Sequence, residues 1–212
     1  MSIRTILFDL DGTLIDTNEL IIASFTHTLQ MHADRVYDRK EILEFIGPPL
    51  VDSFKLVDPL QVETMVNTYR EHNLANHDSY VLAYPTVVDT LTKLKQAGFQ
   101  LGIVTTKVKS TALRGMKLTG IEDMFETIIG LEDVTHAKPH PEPIMKALKQ
   151  LDAQASTTLM VGDNYHDIEA GKNAGTKTAG VAWSIKGKAT LEKYKPDYML
   201  EQMSDLIEIL GV

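Results

Sequence analysis

Residues 7–16 read LFDLDGTLID, and this stretch decides the fold. Residues 3–8, which run into it, are aliphatic and β-branched and stop at a turn signal, the pattern of a buried strand. Asp9 ends that strand, Asp11 follows two residues later, and Gly12 permits a sharp turn. Side chains two apart on an extended chain point the same way, so the spacing brings both carboxylates to one place. An isolated Asp-Gly is most often only a turn. A calcium loop counted from Asp9 fails, because it puts Leu14 where glycine is required and Leu20 where the bidentate glutamate is required.

Downstream of this strand the texture is helical. Ile22, Phe25 and Leu29 repeat at helical spacing within residues 17–32, with Thr17 or Asn18 as the N-cap. Residues 41–46 continue the pattern up to the stop GPP at 47–49, and Pro59 stands where a first helical residue is expected for the segment PLQVETMVNTYREHN. After Pro85, Val87, Leu91 and Leu94 form a helix stopped by Gly98, and the strand FQLGIVTT follows. Helices then alternate with short apolar strands at ETIIG, TLMVGD, TKTAGVA and DYML. Such alternation predicts an α/β fold, a doubly wound parallel sheet with helices on both faces. The expected organisation is an α/β core from residues 1–16 and 81–212, with a small α-helical cap inserted at 17–80.

The chain has 212 residues, 43% of them hydrophobic, enough to bury a substantial core. Its formal charge of -8 argues against a nucleic-acid partner. No apolar stretch is long enough to span a bilayer and no leader pattern opens the chain, so a cytoplasmic protein with no membrane association is expected. The chain contains no cysteine, which removes disulfides, thiolate metal sites and cysteine nucleophiles. An acidic protein that binds an anion needs a cation or well-placed lysines.

Ligands of open parallel sheets bind beyond the carboxyl ends of the strands. There the sequence places Asp9 and Asp11, then Thr105 and Thr106, then Lys138 in HAKPHPEP, then Asp163, with Asp167 four residues on at the start of a helix. Carboxylates this close repel unless a cation joins them, and an all-oxygen set suits Mg2+, which keeps waters and accepts phosphate oxygens. A small phosphorylated substrate fits such a site. One aspartate would attack phosphorus and the other would handle the leaving-group proton and the water. Lys138, Thr105 and backbone amides near Gly12 would stabilise the phosphoryl oxygens, and Thr106 is expected to contact the substrate beside them. Lys107 is the first candidate for the far end of a charged substrate and Arg70 in TYREHN the second. His136, His140 and His166 lie near these segments, where loop histidines are commonly surface residues. Trp183 reads as a packed aromatic.

Taken together, these motifs resemble those of the haloacid-dehalogenase-like phosphohydrolases, in order and over the whole length: DLDGT at 9–13, Thr105, Lys138, and GDNYHD at 162–167. The resemblance implies Asp9 as nucleophile, Asp11 as general acid and base, and Thr105 and Lys138 as charge stabilisers. It also implies Mg2+ held by Asp9, the Asp11 carbonyl and Asp163 with Asp167 in support, and a mobile cap at the helical insert. Dehalogenases proper lack the second aspartate and the metal, so Asp11 points to phosphatase chemistry. Within the family, TNELIIASF, FIGPPL, GIVTTK and GTKTAGVAWSIKG look most like the bacterial inorganic pyrophosphatases that remove pyrophosphate made when serine-phosphorylated HPr is dephosphorylated. Phosphoglycolate phosphatases share many of these features and are the alternative. His140 departs from the aspartate common at its position. A non-catalytic phospho-acceptor module, which also gathers acids, a hydroxyl and a lysine around magnesium, is the reading from another class. No obligate protein partner is inferred.

Overall fold

The structure is a computed structural model that describes residues 2–212. In chain order the first elements are β1 (Thr5–Phe8), β2 (Ile15–Asp16), α1 (Asn18–His32), α2 (Arg39–Glu44), α3 (Leu50–Lys55), α4 (Val62–Tyr80), β3 (Leu82–Ala83) and α5 (Val87–Gln96). There follow β4 (Gln100–Val104), α6 (Lys109–Leu118), β5 (Thr127–Ile129), α7 (Glu142–Gln150), β6 (Thr158–Gly162), α8 (Tyr165–Ala174), β7 (Lys177–Val181), α9 (Lys188–Glu192), β8 (Tyr198–Leu200) and α10 (Asp205–Leu210). Six strands form a parallel sheet in the order β5-β4-β1-β6-β7-β8, as the alternation predicts. Among the described residues, no helix is long and apolar enough to cross a membrane.

All four residues of β1 are buried because the strand is central and covered on both faces. Ile6 and Phe8 pack with Leu91, Leu94, Ala112 and Met116 of α5 and α6 on one face. Leu7 packs with Ile144, Ala147 and Ala170 of α7 and α8 on the other. The two faces thus follow directly from the period-two alternation. Phe8 is in register with Ile103 of β4 and Val161 of β6, so the three strands finish level. The chain runs outward from β1 to β4 and β5, then returns to β6 on the opposite side. The site lies at this reversal.

The helical insert has its own apolar cluster, including Phe25, Leu29, Ile42, Phe54, Met65 and Tyr69. Phe25 sits at its centre, with ring centroids 4.9 Å from Tyr69 and 5.4 Å from Phe54. Asp38 and Glu41 form a capping box that starts α2. Pro59 does not open a helix: Asp58 accepts from Leu60 N at 2.8 Å and from the Gln61 side chain at 2.8 Å, and this turn delays α4 to Val62. The chain enters and leaves the insert through an antiparallel ribbon in which Ile15 pairs with Ala83 and Asp16 with Leu82. Strands of two residues carry no periodicity, so the sequence reading passes over this ribbon.

Candidate active site

Level strand ends bring Asp9, Thr105 and Asp163 to the rim of one chamber of about 480 Å³ between the sheet and the helical insert. Lys138 reaches the same point from the loop after β5. Its buried ammonium donates to Asp9 Oδ1 at 2.8 Å, to Asp167 Oδ1 at 2.6 Å and to the Val104 carbonyl at 2.8 Å. Burial pulls the Lys138 pKa down, but Asp167 and Asp9 outweigh it and the net shift is upward, so this lysine is charged. Asp167 Oδ2 meanwhile accepts from Asn164 N at 3.0 Å as part of the box that caps α8. The side chain therefore starts a helix and anchors a lysine at once.

Asp9, Asp163 and Asp167 offer carboxylate oxygens that all lie within 4.8 Å of one another, and all three residues are buried. Three carboxylates face one ammonium, which leaves excess negative charge. Burial first, partly offset by Lys138, pushes Asp9 from 3.8 to about 7. Burial followed by the Asp9 charge raises Asp163 well above the usual carboxylate range. A hard divalent cation relieves that penalty, and an all-oxygen donor set fits Mg2+. Gly12 has φ +78°, and a Cβ there would strike the Asp163 carboxylate. Its N–H is engaged by the Ile15 carbonyl at 2.9 Å, so it closes a turn and lets Asp163 approach, and that amide is not free for a substrate oxygen.

Asp11 faces differently. Its Oδ1 accepts from Thr17 Oγ1 at 2.7 Å and from Lys107 Nζ at 2.6 Å. Thr17 precedes α1 but makes no side-chain cap bond, because its hydroxyl is given to Asp11. Thr105 Oγ1 accepts from Lys107 N at 3.1 Å, which fixes the turn carrying that lysine. Thr106, expected to contact substrate, lines the chamber and donates to the Gly47 carbonyl at 3.3 Å. Arg70 lines the chamber from α4 and is exposed. Thus Asp9, Asp11, Thr105, Thr106, Lys107, Lys138, Asp163 and Asp167 line one chamber, Gly12 has a structural duty, and Arg70 reaches the chamber from the insert.

The sequence reading misses the residues that seat the insert on the core. The Ile46 carbonyl accepts from Lys186 Nζ at 2.8 Å and from Asn164 Nδ2 at 3.3 Å. Gly47 has φ +117°, and a Cβ there would lie 2.5 Å from Asn164 Nδ2 and 3.1 Å from His166 Nδ1. His166 is buried against Asn164 Oδ1 at 2.8 Å, and burial pushes its pKa down to about 4. The only signal for this seam is the break GPP between helical segments, which marks a loop but not its partner. Trp183 packs against the core beside Tyr84, centroids 5.7 Å apart, as a packed aromatic should.

Residues 6–181 match the model of the haloacid dehalogenase-like hydrolases. The chain is 59% identical over 212 residues to Pyrophosphatase PpaX of Anoxybacillus flavithermus, covering 100% of this chain and 99% of that protein. It is 56% identical over 210 residues to Pyrophosphatase PpaX of Bacillus velezensis, covering 99% and 97%. Among solved structures, a haloacid dehalogenase-like hydrolase from Bacteroides fragilis superposes with a TM-score of 0.90 at 30% identity, covering 97% of this chain and all of that one. A haloacid dehalogenase-like family protein from Streptococcus pneumoniae gives 0.87 at 30% identity, covering 98% of each chain. The chain belongs to the haloacid dehalogenase-like hydrolase family, and it is an enzyme of the phosphohydrolase type. The non-catalytic phospho-acceptor reading is set aside.

Proposed function

We propose that the chain hydrolyses inorganic pyrophosphate to two phosphates through a phosphorylated Asp9, in a Mg2+-dependent reaction gated by the helical insert over 17–80. Asp9 would be the nucleophile: Oδ1 is held by Lys138, while Oδ2 has no hydrogen bond among the described residues. Its attack on one phosphorus forms the Oδ2–P bond and breaks the bridging P–O bond, releasing the second phosphate. Water then attacks the Asp9-bound phosphorus, Asp11 takes a proton from that water, and the Oδ2–P bond breaks to restore Asp9. Lys138 keeps Asp9 positioned throughout, and its charge offsets what builds on the transferring phosphoryl oxygens. Asp9, Asp163 and Asp167 would hold Mg2+, which when bound neutralises phosphoryl charge.

The observation that carries the choice of substrate is Lys107 Nζ, 2.6 Å from Asp11 in the turn after β4. It offers a second cation beside the residue proposed to face the leaving group. A departing phosphate needs charge neutralisation more than a strong proton donor, which suits an Asp11 engaged by an ammonium. The full-length relatives named as pyrophosphatases support the same choice. An organic phosphate such as phosphoglycolate is the second reading. It is favoured by the chamber's size and by its apolar wall of Ile21, Phe45, Leu50 and Leu74. The test is a direct comparison in Mg2+: pyrophosphate should exceed phosphoglycolate in kcat/KM by at least about tenfold, roughly 1.4 kcal/mol in transition-state binding. The opposite preference overturns the pyrophosphate assignment.

A further inference from the structure

We propose that His136, His140 and Glu142 form a second cation site, on the outer face of the loop that carries Lys138, suited to a borderline first-row ion such as Zn2+, Ni2+ or Cu2+. Each residue offers a donor atom, and the three atoms lie within 4.8 Å of one another. The two imidazole rings face each other with centroids 4.6 Å apart and planes tilted by 32°. Two nitrogens and one carboxylate oxygen select zinc, nickel or copper over magnesium or calcium, which prefer oxygen alone. The site is chemically distinct from the buried all-oxygen cluster at Asp9, Asp163 and Asp167.

The carboxylate is already organised. Glu142 Oε1 accepts from Thr135 N at 2.9 Å and from Lys146 Nζ at 3.0 Å, while Oε2 accepts from His136 N at 2.9 Å and His136 Nδ1 at 3.1 Å. The bond from Thr135, then that from Lys146, holds the Glu142 carboxyl down at about 2, so it is ionised under all ordinary conditions. Oε1 is engaged by the lysine and an amide, whereas Oε2 holds one amide and the His136 ring; an ion that displaces the proton His136 Nδ1 directs to Oε2 would find a lone pair there with the amide bond kept. His140 Nδ1 accepts from Glu142 N at 3.2 Å, a long bond that coordination through either ring nitrogen gives up. Ligand atoms around a tetrahedral ion with bonds of about 2.0–2.1 Å lie roughly 3.4 Å apart; His136 Nδ1 and Glu142 Oε2 are already 3.1 Å apart, and with all three donors within 4.8 Å of one another no pair has to close by more than about 1.4 Å. Side-chain rotation is enough, because both histidines are exposed and His136 keeps 62% of its side-chain surface in solvent.

The placement has a physical consequence. His136 and His140 stand two residues to either side of Lys138, whose side chain turns inward to Asp9 and Asp167 while theirs face solvent. An ion joining them to Glu142 at the start of α7 ties both flanks of that lysine to a rigid helix.

The experiment uses the full chain, stripped by chelator and returned to saturating Mg2+ so that the carboxylate cluster is filled, and titrated with Zn2+. The 15N resonances of the His136 and His140 rings should shift together and saturate at one equivalent, with the His166 ring as the unmoved control. Zn2+ affinity by calorimetry should weaken at least about tenfold in His140→Gln and in His136→Gln. Both positions are exposed, so both variants should fold, and unchanged thermal melting in Mg2+ alone checks this. Rings that stay unmoved at one equivalent, or a double variant that binds Zn2+ as tightly as the parent, overturn the proposal.

Discussion

Replacing Asp9 by asparagine should abolish turnover and at the same time stabilise the metal-free protein, and the size of that gain can be worked out. Burial raises Asp9 from 3.8 to about 7 even with Lys138 beside it. A carboxyl whose folded pKa is raised adds stability in full below its unfolded pKa and loses it as pH rises through the folded value, because the unfolded chain ionises it at less cost. The gap between 3.8 and about 7, at about 1.36 kcal/mol per pH unit, amounts to roughly 4 kcal/mol lost by pH 8. Asparagine keeps an oxygen for Lys138 and has no charge to desolvate. In excess chelator at pH 8, Asp9→Asn should therefore be more stable than the parent by roughly 4 kcal/mol, a rise of roughly 8–16 °C in Tm for a chain of this length. At pH 5 the gain should shrink to about 2 kcal/mol, since the parent carboxyl is then mostly protonated. Saturating Mg2+ should restore the parent at pH 8 and close most of the gap. Histidines pushed down by burial, such as His166, affect both proteins alike and cancel in the difference. Thermal melts of both proteins at the two pH values, with chelator and with Mg2+, make the measurement. A variant no more stable than the parent in chelator at pH 8, or a gain independent of pH, would refute the reasoning.

Chelation should stop turnover, and Asp163→Ala should raise the Mg2+ concentration for half-maximal rate by an order of magnitude or more, read from initial rates across a Mg2+ series. Lys107→Met removes a charged contact of about 1.5–3 kcal/mol and should raise the KM for pyrophosphate roughly 10- to 150-fold, with a smaller effect on p-nitrophenyl phosphate; Arg70→Met should act in the same direction but more weakly. Equal effects on both substrates in steady-state assays remove the specificity role of either residue. Gly47→Ala forces φ +117° on a residue with a Cβ and drives that Cβ toward Asn164. It should unseat the loop at 45–49, cost about 1–3 kcal/mol of stability in thermal melts, and raise KM more than it lowers kcat.

Where the acids, the hydroxyl and the lysine gather was legible because they fall at or just beyond the ends of strands, and strand ends are marked by local chemistry. LFDLDGT shows a β-branched run, two acids and a glycine within a few positions, and the later acids, hydroxyl and lysine follow comparable runs. Local pattern also separates the helical insert from the alternating core. Pro59 misled for a local reason as well: the Asp58 side chain captures the following turn, and propensity does not reveal which competitor wins.

What the sequence alone determined is therefore the alternation of strands and helices in the core, the parallel sheet and the identity of the acids and the lysine, because each depends on neighbours within a few residues or on periodicity. Tertiary structure alone decided who touches whom. Lys138 bridges Asp9 and Asp167 across separations of 129 and 29 residues, Lys186 holds the Ile46 carbonyl across 140, and Thr106 donates to the Gly47 carbonyl across 59. Those pairings arise when the register of β1 with β4 and β6 levels the strand ends and the insert folds down over them. Contacts between distant segments depend on packing geometry in three dimensions, which no periodicity along one chain segment encodes.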